Sequence, residues 1–154
     1  MEDRIVPQPL DLAIASVRFG HRLSAQLDQD LAGLGLTWAQ MRALIALADA
    51  GGLIHAGGIG RRLDVSRQAA HRLMQRLDEP GFLTWRDDGW IRSARLTPEG
   101  HRALNDALDA IERTLGAFPA MEPEEQRALA RILRNAGVQL HRVSRPPETP
   151  WWVE

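Results

Sequence analysis

The chain contains no cysteine. That absence excludes disulfides, thiolate metal sites, cysteine nucleophiles and a thiol redox switch together. It contains no lysine either, all 19 basic residues being arginine. With neither nucleophile available, and with Gly51-Gly52 and Gly57-Gly58 matching no phosphate-binding loop, an enzyme is hard to support. Ser66 and Ser93 have no evident base and orienting acid. The histidines at 21, 55, 71, 101 and 141 show no zinc-like spacing, so neither a metal nor another cofactor is expected. No apolar run approaches the ~20 residues of a membrane span. Met1 to Pro9 carries Glu2, Asp3 and Arg4 with no apolar stretch behind them, unlike a signal peptide. The expectation is a soluble cytoplasmic protein.

What is present is enough apolar residue for a core. The 154 residues are 44% hydrophobic and 25% charged, and a chain of this size buries roughly 68–70% of its unfolded surface. The net charge of -1 conceals an uneven distribution. Residues 61–96 hold eight arginines against five acids, whereas residues 1–60 hold four against six and residues 97–154 seven against nine. A basic middle between acidic flanks suggests that the middle meets a polyanion. Solvated surface charge is the alternative on these counts alone.

Helical periodicity dominates the pattern. From Leu10 to about Leu31 two apolar stripes run along one helix, Leu10, Ile14 and Val17 on one side and Phe19, Leu23 and Leu27 on the other, ending at Gly33 and Gly35. A helix apolar on two sides is buried on two sides, which in a small chain points to a second subunit. Thr37 reads as the cap of a second helix burying Met41, Leu44, Ile45 and Ala48. Gly57-Gly58 precedes a short helix, Ile59 to Leu63, and Ser66 caps another from Arg67 to about Glu79. Two strand-like runs, Phe82 to Arg86 and Trp90 to Leu96, flank a turn at Asp87-Asp88-Gly89. Thr97-Pro98-Glu99 opens a helix with Leu104, Leu108, Ile111 and Leu115 in a repeat. Phe118-Pro119 breaks it. A last helix follows Glu122 with Leu129, Ile132, Leu133, Ala136, Leu140 and Val143 on one face, and residues 145–152 form a proline-rich tail. The order predicts a mainly α fold with a small β-hairpin: a winged helix-turn-helix over 37–96, a dimerisation helix over 1–36, and dimerisation helices with the tail over 97–154.

On the helix starting at Arg67, Ala70, Leu73, Met74 and Leu77 share one face. The opposite stripe is Gln68, His71, Arg72 and Gln75, side chains able to read base edges: arginine pairs with guanine and glutamine with adenine. Arg67 and Arg76 flank it where phosphates would lie, and Ser66 at the helix start is a further phosphate donor. An ordinary solvated face is the competing interpretation, and its weight falls because the stripe sits between a short helix and an arginine-bearing hairpin. Arg86, Arg92 and Arg95 on that hairpin are placed to meet a neighbouring minor groove. Trp85 and Trp90 are expected to pack between hairpin and body.

These features resemble the MarR family of transcriptional regulators across residues 10–143. The match is most specific over Ile59-Gly60-Arg61-Arg62-Leu63-Asp64-Val65-Ser66-Arg67-Gln68, through Gly81-Phe82-Leu83, and at a wing signature formed by Asp87, Leu96, Thr97 and Gly100. Two positions depart from the family: Gly89 replaces its wing-tip arginine, and Gly60 stands where it prefers alanine, at a helix-propensity cost of about 1 kcal/mol. The resemblance implies a homodimer holding two winged helices over successive major grooves of a pseudo-palindromic double-stranded DNA site, most often as a repressor. It also implies release by a small aromatic or anionic effector. Arg18 and His21, one turn apart, together with Trp38 and Met41, are the candidate effector contacts; a core histidine beside a surface arginine is the alternative. A winged-helix interaction module without specific DNA binding is the competing function.

Overall fold

The computed structural model describes residues 8–116 and 122–144. Phe118-Pro119 and the tail over 145–152 lie outside them. Helix α1 spans Gln8–Leu31 and passes through a 3-10 turn, Ala32–Leu34, closed by Gly35 in the left-handed region. Helix α2, Trp38–Asp49, begins on Thr37, whose hydroxyl accepts from Gln40 N while the Gln40 side chain accepts from Thr37 N. That reciprocal cap satisfies two backbone donors at the helix start. Strand β1, Ile54–His55, leads into helix α3, Ala56–Leu63, and helix α4 occupies Arg67–Asp78. Strands β2, Leu83–Asp87, and β3, Arg92–Leu96, make the hairpin, and helix α5 covers Pro98–Gly116. Helix α6, Pro123–Ser144, belongs to a second compact unit of the chain.

Burial explains the assembly of the first unit. The α2 side chains Met41, Ala43, Leu44, Ala46 and Leu47 are buried and meet Leu27 and Leu31 of α1, Ile59 and Leu63 of α3, and Ala70, Met74 and Leu77 of α4. Leu104, Ala107 and Ile111 of α5 complete the core. The second helix is therefore buried on more sides than its expected stripe: Ile45 and Ala48 are only partly buried, while Ala43, Ala46 and Leu47 are enclosed. In α5 the apolar repeat splits, Leu104 and Ile111 facing inward and Leu108 and Leu115 exposed. In α1 the C-terminal half is anchored, whereas Leu10, Leu12, Ile14, Val17 and Phe19 are exposed. Leu129, Ile132 and Leu133 of α6 are also exposed.

Two local expectations need correction. The short helix begins at Ala56 rather than Ile59, so Gly57 and Gly58 lie inside it. The cause is His55, whose Nδ1 accepts from Gly58 N at 3.2 Å and caps the helix earlier than the glycines suggested. The hairpin is also part of a three-stranded sheet of order β1-β3-β2. The two residues of β1 carry no readable alternation; their strand character comes from antiparallel pairing, Ile54 opposite Ala94 and His55 opposite Ser93.

The wing signature is structural in this chain. The Asp87 carboxylate accepts from Gly89 N at 2.9 Å and holds the turn, while Leu96 is buried. Thr97 donates its backbone N–H to Phe82 O and its hydroxyl to Gly81 O, and that hydroxyl also accepts from Gly100 N. A Cβ on Gly100 would stand 2.4 Å from Phe82 O, so only glycine fits there. The base of the wing and the start of α5 are thereby locked together.

Candidate nucleic-acid interface

The turn between α3 and α4 is tight, and several interactions set its angle. Asp64 adopts the left-handed region (φ 56°) at the C-cap of α3, and Val65 N donates to Gly60 O at 2.9 Å. Arg42 reaches from α2 to donate to Leu63 O at 2.9 Å, satisfying a carbonyl at the end of α3. A Cβ on Gly60 would lie 2.9 Å from Val65 O. Gly60 is therefore explained by a close backbone approach that alanine would strain, a reason the sequence pattern did not disclose.

Helix α4 starts at Ser66, whose hydroxyl accepts from Ala69 N at 3.1 Å. Ala70, Met74 and Leu77 are buried against the core and Leu73 is partly buried, which fixes the helix's rotation. The same rotation exposes Arg67, Gln68, His71, Arg72, Gln75 and Arg76. None of these six side chains is hydrogen-bonded or ion-paired to another described residue. Three guanidiniums thus stand on one exposed helix without a neutralising acid, an arrangement that attracts polyanions.

The wing divides its arginines between its two faces. Strand register places Arg92 on the face of Trp85, Ala94 and Leu96, and Arg86 on the opposite face with Thr84, Ser93 and Arg95. Arg92 stacks over Trp85, its guanidinium carbon 4.1 Å from the ring centroid. Arg86 Nε lies 3.9 Å from an Asp88 carboxylate oxygen in an exposed ion pair, a contact of small energetic weight. Trp85 is partly buried against the core, as expected, and its Nε1 is enclosed without an acceptor among the described residues. Trp90 departs from expectation: it is 96% exposed rather than packed against the body of the domain, because the turn at Gly89 (φ 82°) carries it out to the wing tip. A tryptophan's apolar bulk favours burial. Its position immediately after the turn glycine is the sequence signal for the tip.

Arg95 lies away from the tip, in a cleft of about 680 Å³ at the wing base, lined also by Leu47, Thr84, Pro98 and His101. The four candidate effector residues are not lining groups of this cleft. Met41 is fully enclosed in the core and offers no wall to a ligand, a correction that follows from its central place on α2. Trp38 is partly buried, its backbone N–H donating to an Asp28 carboxylate at 2.6 Å. Arg18 and His21 are exposed on α1, so His21 is not a core histidine within this chain. Among the described residues no cluster of three or more histidines and carboxylates could hold a metal, and no single helix is long and apolar enough to cross a membrane.

Residues 34–95, spanning the helix-turn-helix and the wing, match the family model described as the MarR family. Among solved structures, a MarR family transcriptional regulator from Streptomyces coelicolor is similar at 29% identity and a TM-score of 0.70, over 86% of this chain and 97% of that one. BpsR from Bordetella bronchiseptica, whose DNA binding is regulated by 6-hydroxynicotinic acid, is similar at 22% identity and a TM-score of 0.72, over 82% and 98%. A MarR variant from E. coli complexed with operator DNA shares the fold at 20% identity and a TM-score of 0.69, over 84% and 94%. No curated protein sequence matches.

Proposed function

The winged-helix domain over residues 34–95 belongs to the MarR family of transcriptional regulators, and from that premise we propose that this protein is a sequence-specific DNA-binding repressor acting in the cytoplasm as a homodimer. The observation that carries the proposal is the outward face of α4, where Gln68, His71, Arg72 and Gln75 are exposed and unpaired between Arg67 and Arg76. In the major groove, Arg72 and the glutamines read bases while Arg67, Arg76 and the Ser66 hydroxyl hold phosphates. Arg86 and Arg92 flank the wing and serve the adjoining groove. The domain carries no catalytic role.

The exposed apolar half of α1 supports the dimer: Leu10, Leu12, Ile14 and Val17 on one helix make a surface that water does not stabilise. Two-fold symmetry then sets half-site centres about 34–36 Å apart in a pseudo-palindrome. Arg18 and His21 stand on that same helical half, so an effector held there, anionic or aromatic, is enclosed only when the second copy is present.

The test is to incubate the purified protein with sheared DNA of its source organism, recover bound fragments at two salt concentrations and sequence them. Enrichment of one pseudo-palindrome that survives the higher salt is the expected result. Recovery of bulk DNA only at low salt, with no enriched site, would overturn sequence-specific recognition. A wing whose arginines are engaged by Asp88 and Trp85 would then favour a protein-interaction module.

A further inference from the structure

We propose that Trp90 is a wedge with which the wing parts two stacked base pairs from the minor groove, and that it selects a TA step beneath the wing tip. The proposal rests on the DNA-binding reading above. Trp90 is 96% exposed and Ile91 beside it is 51% exposed, and neither belongs to the core. The loop that presents them is held in place within the chain. Asp87 accepts from Gly89 N at 2.9 Å, Asp88 N donates to Ile91 O, and the strands behind are paired from Asp87 and Arg92 down to Leu83 and Leu96. Little freedom is therefore left to lose on binding. Charge identifies the occupant. The hairpin carries Arg86, Arg92 and Arg95 against Asp87 and Asp88; the Asp87 carboxylate is engaged by the turn, and that of Asp88 lies 3.9 Å from Arg86. An apolar tip backed by guanidiniums suits a partner that is anionic outside and apolar within, as a stacked duplex is.

The indole also fixes the kind of step. Apolar side chains enter the minor groove by unstacking a base step, and pyrimidine–purine steps such as TA yield most easily. The indole carries one donor, Nε1–H, which has no acceptor among the described residues. The minor-groove floor of A·T and T·A pairs presents only acceptors, A N3 and T O2, whereas a G·C pair adds the guanine amino group as a donor. The ring and its N–H thus favour the same sequence. Trp90 is on this account a specificity-determining residue outside α4, acting through the stiffness and the minor-groove edge of the duplex.

The test uses the full chain and duplexes carrying the enriched pseudo-palindrome, with the flanking pairs varied one step at a time. Permanganate oxidises thymines that have lost a stacking neighbour. With the parent, a thymine in the flank of each half-site should become reactive; with Trp90→Ala it should not, and affinity should fall by on the order of tenfold, the effect of losing one aromatic–base stack. The slope of log affinity against log salt should stay that of the parent, because an indole neutralises no phosphate. Replacing the TA step by CG should weaken the parent, and inosine in place of that guanine, which removes the amino group, should restore it. Trp90→Ala should respond to neither change. A parent that binds but leaves every flanking thymine unreactive, or a folded Trp90→Ala that keeps the parent's affinity, overturns the wedge; loss of affinity in Arg72→Ala then leaves the DNA-binding reading standing. A parent that binds no duplex overturns both. A Trp90→Ala chain that sediments at lower mass than the parent in the absence of DNA assigns the tip to a second copy and overturns the wedge as well.

Discussion

At the scale of single residues, the two roles proposed for α4 separate by measurement. Arg72→Ala is expected to cost about 1–3 kcal/mol of operator affinity and to relax preference at one base position. Arg67→Ala and Arg76→Ala should weaken all sequences alike, and each should reduce the slope of log affinity against log salt by about 0.9. Competition titrations against operators randomised one position at a time, repeated across salt, distinguish the outcomes. Gly60→Ala is a second residue-scale test. Helix propensity alone favours alanine by about 1 kcal/mol, but the 2.9 Å approach of Val65 O opposes it. We expect net destabilisation in denaturant melts; a gain in stability would show that the turn can relax. Trp90→Ala should leave stability within about 0.5 kcal/mol, since that side chain is almost fully exposed. A loss of DNA affinity in this variant would then report on the wing tip directly.

Among the elements, α1 and α5 are joined by a polar contact as well as by packing. Thr114 of α5 donates its hydroxyl to the Asp30 carboxylate of α1, and Gln26 donates to the same group at 3.1 Å. The Thr114 bond, then the Gln26 bond and the nearby Arg113, hold the Asp30 carboxyl below its ordinary value of 3.8. A depressed carboxylate contributes stability that is present above its unfolded pKa and is lost as pH falls through the folded one. Thr114→Val should therefore lower the melting temperature at neutral pH, and the gap from the parent should close as pH is lowered past 3.8. A gap that stays constant with pH would mean that Thr114 acts by packing alone.

Elements whose signals are local were legible in the sequence. Thr37, Ser66 and Thr97 each marked a helix start, and the inward face of α4 followed from its spacing, which also exposed the six polar residues opposite. What escaped depends on partners remote in sequence. β1 is a strand only because β3 lies beside it, the start of α3 is set by an imidazole instead of by a familiar capping residue, and Met41, whose burial its spacing predicts, is enclosed too completely for the second role of effector contact. Arg95 resembled the other wing arginines in sequence, yet its place on β3 delivers it to the wing base.

For the molecule as a whole, the proposed dimer makes a prediction independent of DNA. Sedimentation should give twice the chain mass of 17.2 kDa, and Ile14→Glu with Val17→Glu should shift the species toward monomer by placing like charges on an apolar contact. A parent that sediments as a monomer at micromolar concentration would remove the two-fold argument and with it the expectation of a palindrome.

The pairing of β1 with β3 has a mechanical consequence. β1 leads directly into α3, and its last residue, His55, is also the cap of that helix. The wing is therefore stitched on one side to the start of α3 and on the other, through Thr97, to α5. It has little freedom to swing by itself without breaking one of these seams. On the proposed DNA-binding function, wing tip and α4 within one domain are the two jaws of a calliper set to a fixed opening. A duplex whose groove spacing differs from that opening must deform to be gripped, so operators should be sorted by how readily they bend as well as by the bases they display.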